Sequence, residues 1–161
     1  MIKTFIITFL LSATVFADSN LIMTKVSPIK AKDFTLQSPS GASISLSDYE
    51  GKYVLVNFWA HWCSPCIKEF PDMQKLYEQS DKSQFEIIAI HAGPFNAEAE
   101  KFVDHFKISF PVVSDPETNL KGWDVRALPM TYLVDPSGNI IYEAIGPREW
   151  KQDDMQNLIT N

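Results

Sequence analysis

Apolar residues along this chain fall into short blocks whose spacing alternates between strand-like and helix-like. Tyr53-Val54-Leu55-Val56-Asn57-Phe58-Trp59 is almost continuously apolar and rich in β-branched and aromatic residues, the signature of a central strand covered on both faces. From Ser64 to about Gln79 the period changes: Ile67, Phe70, Met73, Leu76 and Tyr77 recur at helical spacing and form one core-facing stripe. Pro65 suits the first helical turn, where no N–H is needed, whereas Pro71 should remove a hydrogen bond and bend the helix. Phe85 to Ile90 reads as a second buried strand. Ala97 to Phe106 reads as a second helix, with Ala99, Phe102, Val103 and Phe106 as its apolar stripe.

Toward the C-terminus, Phe110 to Val113 is a short extended piece and Asn119 to Trp123 a short helix. Met130 to Val134 and Ile140 to Ala144 are strands joined by the turn Asp135-Pro136-Ser137-Gly138-Asn139. Trp150 to Ile159 closes the pattern as a helix with Trp150, Met155 and Leu158 as core contacts. Before the central strand, Phe34 to Leu36 and Ile44 to Leu46 flank Ser38-Pro39-Ser40-Gly41 as a hairpin. The order β, α, β, α, β, β, α predicts an α/β fold, a mixed central sheet flanked by helices with an N-terminal β-hairpin.

The first residues carry a different signal. Lys3 is followed by an apolar run from Thr4 to Phe16, and Val15-Phe16-Ala17 offers a peptidase site. Residues 1–17 are therefore expected to be a cleaved signal peptide. An uncleaved membrane anchor is the alternative, although the run is shorter than the roughly 18 residues a spanning helix needs. Residues 18–32 read as a polar, flexible, structureless leader, and 33–161 as one domain. The formal charge of −6, with no clustered Lys or Arg, excludes nucleic acid as a partner class. The chain is expected to act as a monomer in a periplasmic or otherwise extracytoplasmic space.

Export changes the meaning of the chain's two cysteines, Cys63 and Cys66, which stand at the strand-to-helix junction in Trp62-Cys63-Ser64-Pro65-Cys66. In an oxidising space a structural staple is the plain reading, but closing a four-residue loop yields only roughly 2 kcal/mol. So short a bridge is a poor staple and a good redox switch. The two cysteines and three scattered histidines, His61, His91 and His105, have no zinc-like spacing.

Val54 to Cys66, then Glu69-Phe70-Pro71, then Val125 to Asp135 with Gly138 together resemble the thioredoxin superfamily, and within it the TlpA/ResA-like extracytoplasmic thiol-disulfide oxidoreductases. The resemblance implies a thioredoxin fold in which Pro111 to Val125 is a TlpA-like central elaboration. It implies that Pro129 is the cis-proline facing the cysteines, exposing the backbone beside Leu128 to an extended substrate segment.

Cys63, at the helix N-terminus, is then the nucleophile, and Cys66, one turn deeper, the resolving thiol. Trp62 and Pro65 wall the pocket. Cytoplasmic thioredoxin has an Asp where this chain has Asn57. Glu69, on the helical face of Cys66, is expected to take over proton handling, with a pKa raised by partial burial. The redox-active disulfide is the only cofactor expected, and no metal. Protein thiols and disulfides are the expected clients, apocytochrome c and copper-site cysteines among them, with a membrane thiol reductant of the DsbD or CcdA type.

Two other functions use the same residues. A disulfide-forming oxidase runs the reaction in reverse. A Cu(I)-binding protein or metallochaperone would use Cys63, Cys66 and Met130, the soft ligand types copper prefers. His61 precedes the motif, where a protonated ring would stabilise the Cys63 thiolate; a solvated loop residue is the equal alternative. Peroxidase chemistry is disfavoured, because peroxiredoxins place a Thr three positions before the reactive Cys and Ala60 stands there.

Overall fold

The apolar run forms strand β4 (Tyr53–Trp59), and every residue of it after Tyr53 is buried. The computed structural model describes residues 22–118 and 122–160. β4 pairs in parallel with β5 (Phe85–Ala92) and antiparallel with β7 (Met130–Val134), so its backbone groups are satisfied on both edges. β6 (Val112–Asp115) extends the parallel side, and β8 (Asn139–Ile145) pairs with β7 through the predicted turn. The hairpin strands β2 (Thr35–Gln37) and β3 (Ser43–Ser45) continue the sheet beyond β6. Among the described residues this gives one mixed sheet in the order β1-β8-β7-β4-β5-β6-β2-β3, with β1 spanning Thr24–Lys30.

β1 corrects the sequence reading. Thr24–Lys30 lies within the stretch read as a structureless leader, yet it runs antiparallel to β8, with Thr24 opposite Glu143 and Ile29 opposite Ile140. Its side chains are nearly all exposed, because an edge strand is held by the backbone of one neighbour and shows no apolar alternation. Pro28 is tolerated there, where the register shifts between Lys25 and Ile29. The predicted signal segment lies outside the described residues.

Alternation along β4 sends its side chains into two cores. Leu55 and Trp59 join one cluster with residues of α1 (Ser64–Gln79), α2 (Ala97–His105) and α3 (Gln152–Thr160). In it α1 buries Cys66, Phe70, Met73 and Leu76, and α1 continues unbroken through Pro71. Val54, Val56 and Phe58 face the opposite cluster, closed by Ala31, Phe34, Leu46 and Trp123. Of the short helix expected at Asn119 to Trp123, residues 119–121 lie outside the described set, and Gly122 and Trp123 are not helical. Gly122 has φ +99°, the left-handed region that favours glycine, and a Cβ there would sit 2.5 Å from Cδ of the exposed Lys32 side chain, which would have to move aside.

Candidate functional site

β4 ends at Trp59, and the chain then makes a tight turn in which the Cys63 N–H donates to the Ala60 carbonyl at 3.0 Å. Cys63 is the N-cap of α1, and its sulfur accepts a hydrogen bond from the Cys66 N–H at 3.3 Å. Cys63 and Cys66 are joined as a disulfide with their Cα atoms 5.3 Å apart. Their exposures differ in the direction the chemistry needs: Cys63 retains 6% and Cys66 none. Of the two, Cys63 is the residue open to the outside. The unpaired N–H groups of the first helical turn favour negative charge on its sulfur.

Around this turn Trp62 is 67% exposed and Pro65 is also exposed. The Leu128–Pro129 peptide bond is cis. In the β4–β7 pairing Phe58 faces Met130, so Pro129 stands one residue further, level with Trp59 and beside the cysteine turn. Leu128, partly buried, packs against both clusters. Met130 is fully buried in the cluster on the opposite face from the disulfide, a core position rather than a third soft ligand beside the sulfurs.

Glu69 follows Cys66 on the buried face of α1 and is only 2% exposed. Three donors converge on it. Asn57 Nδ2 donates to Oε1 at 2.8 Å, while the Arg148 backbone N–H and Trp150 Nε1 donate to Oε2 at 3.1 and 3.2 Å. Burial pushes its pKa up from 4.5 to about 7, against the lowering effect of those hydrogen bonds and of the Arg148 charge. A protonated Glu69 would need an acceptor, and Asn57 can supply one. Asn57 Nδ2 also donates to Thr131 Oγ1 at 2.9 Å, and its buried Oδ1 has no hydrogen-bond partner. Half a turn of the amide brings Oδ1 to the carboxyl proton, and the Thr131 hydroxyl can then donate to the same oxygen. The pocket thus accommodates both charge states of Glu69, as a proton-transfer group near neutral pH requires.

Asn57 and Glu69 are visible in the sequence as polar residues inside apolar stripes. Thr131, Arg148 and Trp150 are not: Thr131 reaches Asn57 from β7, and Arg148 and Trp150 reach Glu69 from the segment before α3. His91 is likewise a product of the fold: it is 1% exposed and lies against His61, while His105 lies at the C-terminal end of α2.

The family model described as AhpC/TSA matches residues 29–143. The chain is 37% identical over 131 residues to the thiol-disulfide oxidoreductase ResA of Bacillus subtilis, covering 80% of this chain and 73% of that protein. It is 38% identical over 129 residues to ResA of Geobacillus thermodenitrificans, covering 80% and 74%. Among solved structures, the fold resembles a thiol:disulfide interchange protein DsbE from Chlorobium tepidum, with TM-score 0.73 and 27% identity over 85% of this chain and 97% of that one. A thioredoxin domain of a Bacteroides vulgatus thiol-disulfide oxidoreductase gives TM-score 0.74 at 26% identity, over 84% and 99%.

Proposed function

The chain belongs to the AhpC/TSA family and is a protein thiol-disulfide oxidoreductase of the ResA type, and from that premise we propose that it works as a dithiol reductant of exported client proteins. In the reduced protein the Cys63 thiolate attacks one sulfur of a client disulfide. A Cys63–client disulfide forms, and the first client thiolate leaves and takes up a proton. Glu69 accepts the Cys66 proton, and the Cys66 thiolate then attacks Cys63 Sγ and expels the second client thiolate. Two electrons pass to the client, which leaves as a dithiol, and the Cys63–Cys66 disulfide remains. A membrane dithiol carrier of the DsbD or CcdA type resets it.

The observation that carries this reading is the asymmetry of the pair: a reachable sulfur at the helix N-terminus, and a sealed one followed by a buried carboxyl with a pKa near 7. Trp62, Pro65, Leu128 and Pro129 are proposed to bound the client-binding face. The periplasm or an equivalent compartment, with apocytochrome c or copper-site cysteines as clients, follows from the family resemblance. Among the described residues no helix is long and apolar enough to cross a membrane.

The test is trapping on an oxidised peptide carrying a haem-attachment cysteine pair. Reduced Cys66→Ser is expected to accumulate a peptide adduct through Cys63, while Cys63→Ser accumulates none. Adduct formation by Cys63→Ser but not Cys66→Ser would invert the roles.

A further inference from the structure

β8 is followed by a bend, Gly146-Pro147-Arg148, whose backbone N–H groups point at two parts of the redox site. The Gly146 N–H donates to the carbonyl of the cis-proline Pro129 at 2.8 Å. The Arg148 N–H donates to Glu69 Oε2 at 3.1 Å. A single bend thus touches both the loop that stands beside the cysteine turn and the carboxyl that follows Cys66.

The Arg148 side chain holds this bend. Its Nε donates to the Ile22 carbonyl at 2.8 Å, and its Nη1 donates to the Gly146 and Pro147 carbonyls at 3.2 and 2.9 Å. The guanidinium therefore folds back on its own backbone and fastens it to the N-terminal end of the described chain. That end is itself anchored. Met23, next to Ile22, is 1% exposed and belongs to the core cluster that contains Cys66, Phe70 and Trp150, and β1 follows it into the sheet.

A guanidinium keeps its proton at any working pH, and its fork has a fixed shape, so the clamp has the same form in both charge states of Glu69. It acts on the carboxyl in two ways. The backbone N–H that it steadies bonds the carboxylate directly, and its positive charge favours ionisation; both oppose the effect of burial. Without them a carboxyl only 2% exposed would hold its own proton and could not accept another. Among the described residues, the charged group in these contacts is Arg148. Asn57 from β4 and Trp150 ahead of α3 are neutral, and Cys66 in α1 does not titrate while the disulfide is closed.

We propose that Arg148 is a positioning residue of the redox reaction: by tying the Ile22, Gly146 and Pro147 carbonyls it fixes the bend that keeps Glu69 able to take the Cys66 proton and that holds Pro129 beside the cysteine turn. The proposal rests on the reading of Glu69 as that proton acceptor. It also gives the residues just before β1 a part in the site, through the Ile22 carbonyl.

NMR titration of the oxidised wild-type protein tests the contact with no variant needed. The Arg148 amide and the Trp150 indole N–H should both move with the titration of the Glu69 carboxyl, near pH 7. In Arg148→Met, which loses fork and charge, that carboxyl should titrate about one pH unit or more higher, leaving about tenfold less carboxylate on its rising limb. Arg148→Lys, which keeps the charge without the fork, should fall between the two.

The reaction reads the same effect. Mixed-disulfide resolution by Arg148→Met should keep its rise with pH, displaced upward by the interval found for the carboxyl. A rate lowered equally at every pH would mark a structural role only and overturn the proposal. So would an Arg148 amide that ignores the Glu69 titration, an unmoved or lowered carboxyl titration in Arg148→Met, or full restoration by Arg148→Lys. An error in the reading of Glu69 would show separately, as a resolution profile that Glu69→Gln leaves unchanged.

Discussion

Replacing Glu69 by Gln should make the protein more stable in alkaline solution and no more stable in acid. Glu69 is buried, and its pKa rises from 4.5 to about 7 in the folded state. The folded chain therefore binds this proton more tightly than the unfolded chain. Stability falls as pH rises from about 4.5 to about 7 and is flat beyond. The interval from 4.5 to about 7, at about 1.4 kcal/mol per pH unit, amounts to about 3 kcal/mol at full ionisation.

The amide introduced by Glu69→Gln can keep the site's hydrogen bonds. Its carbonyl oxygen accepts from the Arg148 N–H and Trp150 Nε1, and its NH2 group donates to Asn57 Oδ1 after that side chain turns. Urea unfolding of both oxidised proteins across this pH range isolates the effect, since all other titrating groups cancel in the difference. The variant should gain on the wild type from about pH 4.5 upward, reaching about 3 kcal/mol above pH 7. A gap independent of pH, or one that widens toward acid, would refute a carboxyl held against burial.

The same substitution bears on rate. Mixed-disulfide resolution by Glu69→Gln, followed by quenched flow, should be slower than wild type and lose its rise through pH 7, whereas a matching profile would remove Glu69 from proton transfer. Asn57→Ala takes a donor from the carboxylate and strands Thr131 Oγ1. It should cost about 1–3 kcal/mol in urea unfolding, more above pH 7 than below. Phe70→Ala removes a ring packed 4.6 Å from Trp59, 5.5 Å from Phe102 and 6.0 Å from Phe110. It should cost about 3–5 kcal/mol; a loss under about 1 kcal/mol would mean this core collapses freely.

Where one local signal dominated, the sequence was legible to the residue. β4 (Tyr53–Trp59), α1 (Ser64–Gln79) and β7 (Met130–Val134) match their predicted bounds: the two strands are apolar β-rich runs, and the helix has Cys63 as its cap and Pro65 in its first turn. Cys63, Cys66 and Glu69 stand on one such helix, so their relative placement could be read from spacing. β1 was hidden because its support comes from β8, more than a hundred residues away, and its own side chains face water. The Arg148 and Trp150 donors to Glu69, the Thr131 contact with Asn57 and the His61–His91 contact were hidden for a related reason. They join β4, its following turn and α1 to segments that only the folded sheet brings near, and no periodicity encodes such a meeting.

The central claim, that this protein gives electrons to client disulfides, is tested most directly by the equilibrium reduction potential of Cys63–Cys66 against glutathione. A value closer to thioredoxin, about −270 mV, than to DsbA, about −120 mV, is the result predicted for a reductant. A value near that of DsbA would make the protein a donor of disulfides and contradict the proposed direction.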